Sequence, residues 1–473
     1  MEKNSGLYTD YYQLTMAQGY YLAGFERTRS CFDYFFREIP FYGSYVLFAG
    51  LKDLLGMLQT FGFQQESLDY LKAQGFHQEF LNYLRSFHFG GTILSVREGE
   101  LVFPLEPILR VEGSLIEAQL IESMLLNILN FESLIATKAS RVRIAAGDRR
   151  IVDFGLRRGQ GFGSVHASRA AIIGGVDATS NVFTAFEESV EVAGTQAHSW
   201  IQSFDDELTS FRKFAEIYPD KCVLLVDTYN TLKSGVPNAI IVAKELEARG
   251  YRMVGIRLDS GDLAYLSKHT RAMLDEASLG YVKIVVSNQL DENVIRSLLI
   301  EQQAPIDIFG VGTRLITGQP SAALDGVYKL SMSDGVPRLK FSENYGKLSL
   351  PGIKKVYRYK DGDGFFTADA IALDDESVPE FIHHPIYPEQ QSRLDRFTAE
   401  QILVPVMENG KPVLTQTTLQ SAEYARTRLA QIASEHKRFE HPHIYKVGIS
   451  HNLLKLRTQL VDQFLKKMHA RES

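Results

Sequence analysis

The chain has 473 residues, 45% of them hydrophobic and 23% charged, enough for two or three domains with full cores. A formal net charge of -6 gives no global attraction to nucleic acid or an anionic membrane, so any anion site must be local. Two cysteines, Cys31 and Cys222, make no CxxC or other metal spacing and read as reduced, core-packed thiols of a cytoplasmic protein.

The opening MEKNSGLYTDYYQL lacks the basic start and apolar stretch of a secretory signal, so no export is expected. The most apolar runs, such as residues 222–226, are far shorter than the ~20 residues that span a bilayer. Up to Leu84 the text alternates helix-like patterns with one strand, predicted around residues 29–36. Residues 91–113 read as a small β unit: TILSV, REGE, LVFPLEP, ILRVEG. A long amphipathic helix is expected next, over residues 116–146.

From Ile151 a different rhythm begins. Short apolar runs end in Gly, Asp, Ser or Asn and lead into helix-length segments: RIVDFG, CVLLVDT, MVGIRLDSGD, VKIVVSNQ and IDIFGVGT. Buried strands followed by helices imply parallel βα units with chemistry at the carboxyl ends. The expected fold class is α/β, an irregular (β/α) barrel with an open doubly wound sheet as the alternative. After Leu330 come hairpin-like stretches and a closing helical region from Thr417. The expected organisation is an N-terminal α+β domain over residues 1–140, a catalytic barrel-like domain over 141–330, and a segment 331–473 that packs back on the first.

Four segments carry chemistry. DFGLRRGQGFG, residues 153–163, sets Arg157 and Arg158 among four glycines after a strand. Guanidinium groups grip phosphate or carboxylate in bidentate fashion and glycines admit backbone N–H groups to an anion, although surface arginines on a solvated turn fit too. Phe154 is either core packing or a platform for a flat ring. GTQAHSW holds His198, and a lone histidine is more often structural than functional. RLDSGD places Arg257, Asp259 and Asp262 at a strand end, where carboxylates suit ribose hydroxyls or Mg2+ and the arginine suits an anion. Asp262 equally suits a helix cap. GVGTRLITG, residues 310–318, offers a Gly-rich turn with hydroxyls suited to a phosphate at a helix start. The sequence contains no Walker A motif and no GxGxxG after the first strand.

In order, YTDYYQLTMAQGY, FFREIP, DFGLRRGQG, GGVDATSNV, GTQAHSW, RLDSGD, VSNQ, GVGT and LPGIKKVYR resemble the nicotinate phosphoribosyltransferases over about three quarters of the chain. The resemblance implies a decorated, irregular α/β barrel that moves phosphoribosyl from PRPP to nicotinic acid, with Mg2+ present. It also implies coupling to ATP hydrolysis through a phosphorylated histidine, here His198. Phe154 then stacks on the ring, Arg257 meets the nicotinate carboxylate, Thr195 lines the same pocket and Asp259 contacts ribose. Arg157, Arg158, Ser287, Gly312, Thr313 and Thr317 face the phosphates. Tyr12, Arg37, Lys340 and Lys347 match positions that a second subunit supplies, so the resemblance implies a homodimer with shared sites.

Within that family the competing substrate is nicotinamide, whose transferase presents an aspartate to the amide. Here that position is Ser180, which also suits a helix N-cap. Quinolinate phosphoribosyltransferase shares the plan without a phosphohistidine step, and a non-catalytic nucleotide-binding relative is the remaining alternative. Arg314 stands in GTRLIT where a small residue is usual, which adds a cation to that loop or alters its geometry.

Overall fold

The computed structural model describes residues 2–340 and 349–472. The chain forms two compact units, residues 135–322 and the combination of residues 1–134 with 323–473.

In the discontinuous unit, the aromatic run RSCFDYFF forms the strand Arg29–Phe36, buried at all but its first residue. It pairs antiparallel with Gly326–Ser333 on one side and Leu109–Ser114 on the other, inside a seven-stranded sheet. Both ends of the chain therefore build one sheet. The β unit expected over residues 91–113 is present as Thr92–Ser95, Leu101–Val102 and Leu109–Ser114. The helix expected over 116–146 is two helices, Leu115–Leu120 and Glu122–Ala146. A capping box starts the first: Ser114 Oγ accepts from Glu117 N at 3.2 Å, and Glu117 Oε2 accepts from Ser114 N at 2.9 Å. The closing helical region begins with Thr418–Ala430, capped by Thr417.

The unit of residues 135–322 is α/β. Its strands Arg150–Asp153, Ala178–Thr179, Val223–Leu225, Gly255–Leu258, Lys283–Ser287 and Ile308–Val311 form one six-stranded sheet. Every pairing in it is parallel. The second strand, inside GGVDATSNV, joins the five that the apolar runs predict. Nearly every strand residue is buried, as helices on the faces of a parallel sheet require. The register sets Asp153 beside Val311 and Thr179, and Ser287 beside Gly310, so their carboxyl ends converge.

Cys31 and Cys222 are free and buried, and burial pushes both thiols up to about 12. Among the described residues no helix is long and apolar enough to cross a membrane.

Candidate active site

The site starts from a buried carboxylate. Asp153, at the end of its strand, accepts hydrogen bonds from Ser168 Oγ, Thr179 Oγ1 and Gly155 N, each at 2.7 Å. Burial raises its pKa, and these three donors act against that rise. The turn that follows is too tight for a side chain: a Cβ on Gly155 would lie 1.8 Å from Ile316 Cγ1. Phe154 N donates to Val311 O at 2.8 Å, and the Phe154 ring rests on Gly310, where a Cβ would come within 2.3 Å of it. Two glycine-bearing loops thus fix one aromatic ring.

Arg257 projects from the neighbouring strand ends toward that ring. Its Nε donates to Ser287 Oγ at 2.9 Å, Nη1 to Thr195 Oγ1 at 3.0 Å and Nη2 to Asp259 Oδ1 at 2.8 Å. Ser287 Oγ also donates to Asp259 Oδ1. Of the five N–H groups of the guanidinium, three are engaged and one remains on each terminal nitrogen. That pair matches the two oxygens of a carboxylate.

Phe154, Ser180, Thr195, Arg257, Asp259 and Ser287 line one cavity of about 700 Å³. Arg157 and Arg158, on a short 3-10 turn, line it as well, together with Gly312 and Thr313. One cavity therefore gathers a flat ring, a carboxylate fork and a cationic, glycine-rich wall.

The sequence matches the profile of the nicotinate phosphoribosyltransferase N-terminal domain over residues 7–130, of the nicotinate phosphoribosyltransferase family over 149–336, and of the C-terminal domain over 353–457. The chain belongs to the nicotinate phosphoribosyltransferase family. It is 42% identical to the nicotinate phosphoribosyltransferase of Bacillus subtilis over 456 residues, which covers 94% of this chain and 92% of that one. It is 35% identical to the Caenorhabditis elegans enzyme of the same name, with the same coverage of both chains. The crystal structure of human nicotinic acid phosphoribosyltransferase superposes with a TM-score of 0.86 at 31% identity, covering 96% of this chain and 99% of that one.

Not every residue that the family resemblance points to lines the cavity. His198 opens the helix His198–Gln202, half-buried, with Nδ1 3.0 Å from Thr228 Oγ1, and it is not among the lining residues. Thr317 is not among them either: its hydroxyl donates to Thr313 O at 2.7 Å. The helix after Gly312 is only Thr313–Ile316. Arg314 lines the cavity while ion-paired with Asp291. Tyr12, Arg37 and Lys340 belong to the other unit. Tyr12 is 50% exposed, Arg37 lies over the Phe35 ring with a buried Nε that has no hydrogen-bond partner, and Lys340 is exposed. Lys347 lies outside the described residues.

Two functional candidates went unread in the sequence. Asp227 accepts from Asp259 N at 2.9 Å and from Ser260 Oγ at 2.5 Å through Oδ2, while its Oδ1 is buried without a partner. Its signal was its place at the end of the CVLLVD run. Gln196, next to Thr195, is a buried amide on the cavity wall. Its signal was only its neighbourhood in GTQAHSW.

Proposed function

We propose that the chain transfers the phosphoribosyl group of PRPP to the ring nitrogen of nicotinic acid, giving nicotinate mononucleotide and pyrophosphate. The observation that carries this reading is Arg257, held beside the Phe154 ring with one N–H left on each terminal nitrogen. The ring of nicotinate stacks on Phe154 while its carboxylate takes the two N–H groups. Asp259, already aligned by Arg257 and Ser287, accepts from ribose. Arg157 and Arg158 draw charge off the departing pyrophosphate, whose departure leaves an oxocarbenium-like sugar. The pyridine nitrogen brings its own lone pair, so no general base is needed and alignment does most of the work.

Asp227, whose Oδ1 is left without a hydrogen-bond partner, and its neighbour Asp259 are read as the carboxylates that would hold Mg2+. When bound there, the cation would neutralise pyrophosphate charge.

ATP is read as the co-substrate. His198 Nε2 bonds to the γ-phosphorus as the β,γ P–O bond breaks and ADP leaves, with Nδ1 held by Thr228 Oγ1. The catalytic unit is read as an irregular barrel. Strand neighbours follow chain order, and the first strand, Arg150–Asp153, pairs with the last, Ile308–Val311, as in a closed sheet with one seam between Ala178–Thr179 and Val223–Leu225.

A homodimer with shared sites is supported by large exposed apolar side chains in each unit. Phe162, Val182 and Phe183 are 71%, 67% and 53% exposed around one groove, and Tyr11 is 60% exposed beside Tyr12. Tyr12, Arg37, Lys340 and Lys347 are the residues that a second copy would bring. Buried, unpaired thiols suit a cytoplasmic setting.

The test incubates the protein with PRPP, Mg2+ and either nicotinate or nicotinamide, with and without ATP. Nicotinate mononucleotide is the expected product, with turnover raised by ATP. The His198→Ala variant is expected to lose the ATP effect and the labelled phosphate taken from γ-labelled ATP. A product made only from nicotinamide would overturn the substrate reading, and full ATP stimulation in His198→Ala would overturn the phosphohistidine.

A further inference from the structure

Gln196 is 6% exposed, lines the cavity, and has both amide atoms, Oε1 and Nε2, buried without a hydrogen-bond partner. Buried amides are ordinarily paired, so two orphaned atoms on a cavity wall call for a partner from within the cavity. The position of the residue is fixed. Thr195 Oγ1 donates to Gln196 O at 3.3 Å and accepts from Arg257 Nη1 at 3.0 Å, which ties residues 195 and 196 to the carboxylate fork.

The chemistry of an amide selects among the parts of the proposed substrates. Nε2 donates and Oε1 accepts, side by side. A carboxylate, a phosphate or a pyridine nitrogen only accepts, and any of them would leave Oε1 facing a second lone pair. A hydroxyl both donates and accepts, so a ribose with two neighbouring hydroxyls satisfies both ends at once. We propose that Gln196 recognises the ring hydroxyls of the phosphoribosyl group, with nicotinate held by Arg257 and Phe154 in the same cavity. This rests on the phosphoribosyl-transfer reading above.

The experiment compares the native chain with Gln196→Met, which keeps the length and removes both polar atoms. Calorimetry follows the binding of nicotinate mononucleotide, its 2′-deoxy and 3′-deoxy forms, nicotinate alone and ATP. For Gln196→Met, binding of the mononucleotide is expected to weaken by about tenfold, the loss of two neutral hydrogen bonds. Nicotinate should bind within about twofold of native, as Arg257 and Phe154 rather than this amide hold it in the proposed pose. At least one deoxy form should bind the native chain about tenfold more weakly than the parent nucleotide, yet bind Gln196→Met no worse than the parent nucleotide does. A merely structural role would not produce that cancellation.

Equal losses for every ligand, a loss confined to ATP, or deoxy forms that bind the native chain like the parent would each overturn the proposal. Should Gln196→Met not fold, Gln196→Leu also removes both polar atoms in an apolar side chain, and the same cancellation is read there. The underlying reading is judged separately, by whether the native chain makes nicotinate mononucleotide from PRPP and nicotinate. The amide assignment is judged by the ratio of affinities, and ribose 5-phosphate against 2-deoxyribose 5-phosphate reads it without turnover.

Discussion

The Arg257 guanidinium lies over the Phe154 ring, its central carbon 5.1 Å from the ring centroid. Each holds the other: the cation is drawn to the ring face, and three hydrogen bonds stop the guanidinium from turning. Lysine would keep the charge and lose the fork. For Arg257→Lys, kcat/KM for nicotinate is expected to fall by about a hundredfold, ~3 kcal/mol, as when one partner of a buried charged pair is lost. Steady-state kinetics should show a smaller change in the KM for PRPP than in that for nicotinate, since Ser287 Oγ still holds Asp259 when the guanidinium is gone. An unchanged kcat/KM for nicotinate would remove Arg257 from the carboxylate role.

Gly310 matters for what it lacks. A methyl group there would lie 2.3 Å from Phe154 Cε2 and 2.4 Å from Cδ2, so the ring must tilt away. Gly310→Ala is expected to fold, because ring displacement into the open cavity relieves the clash, and to raise the KM for nicotinate by about tenfold through the lost platform. Fluorescence-monitored unfolding and kinetics on the same sample separate the two effects. A native KM with lowered stability would mean that Phe154 is packing rather than platform.

Much of this geometry was readable from residue patterns, and the reason is local. Five strands announced themselves as apolar runs ending in Asp, Ser or Gly, because a strand buried on both faces cannot alternate. The sixth, Ala178–Thr179, is two residues long and too short for any period to register. The break at Ile121 left no Pro or Gly to mark it. Pairing of Arg29–Phe36 with Gly326–Ser333 joins segments that only the folded chain brings together. Within the site, Arg257, Asp259 and Phe154 stood out as charged or aromatic residues at strand ends. Gln196 did not, because an amide is informative only once burial and missing partners are known.

A buried charge network in the discontinuous unit gives a pH prediction. Arg358, fully buried, pairs with Asp369 at 2.6 Å and with Glu100 at 2.5 Å, and Glu106 sits against the same group. Burial, then the charge of Asp369, holds Glu106 well above the ordinary carboxylate range. The folded state therefore binds a proton that the unfolded state releases near pH 4.5. The contribution of this group to stability is full below that pH and declines as pH rises toward the folded pKa, by ~1.4 kcal/mol per unit. Glu106→Gln keeps the acceptor for Phe103 N, 2.7 Å away, and removes the titration. Its melting temperature relative to the native chain should rise between pH 5 and pH 7.5. A gap that stays flat over that range would show that Glu106 is ionised in the fold.

Ser180 tests the choice of acid over amide. The residue lines the cavity with Arg257 and Phe154, and its backbone N donates to Asp153 O at 2.8 Å. It does not cap the following helix, since Asn181 takes that role by accepting from Thr184 N. A substitution at 180 therefore leaves the helix start intact. A carboxylate there would face the nicotinate carboxylate at roughly 4 Å, a repulsion of roughly 4 kcal/mol at an effective dielectric of ~20. It would also compete for the remaining N–H groups of Arg257 while offering an acceptor to an amide N–H2. Ser180→Asp should thus lower the acid-to-amide ratio of kcat/KM by about a hundredfold or more, mostly by loss on nicotinate. Competition assays with both pyridines in one vessel measure that ratio directly. If it stays where the native chain puts it, discrimination lies elsewhere on the wall, and Arg257 alone reads the carboxylate.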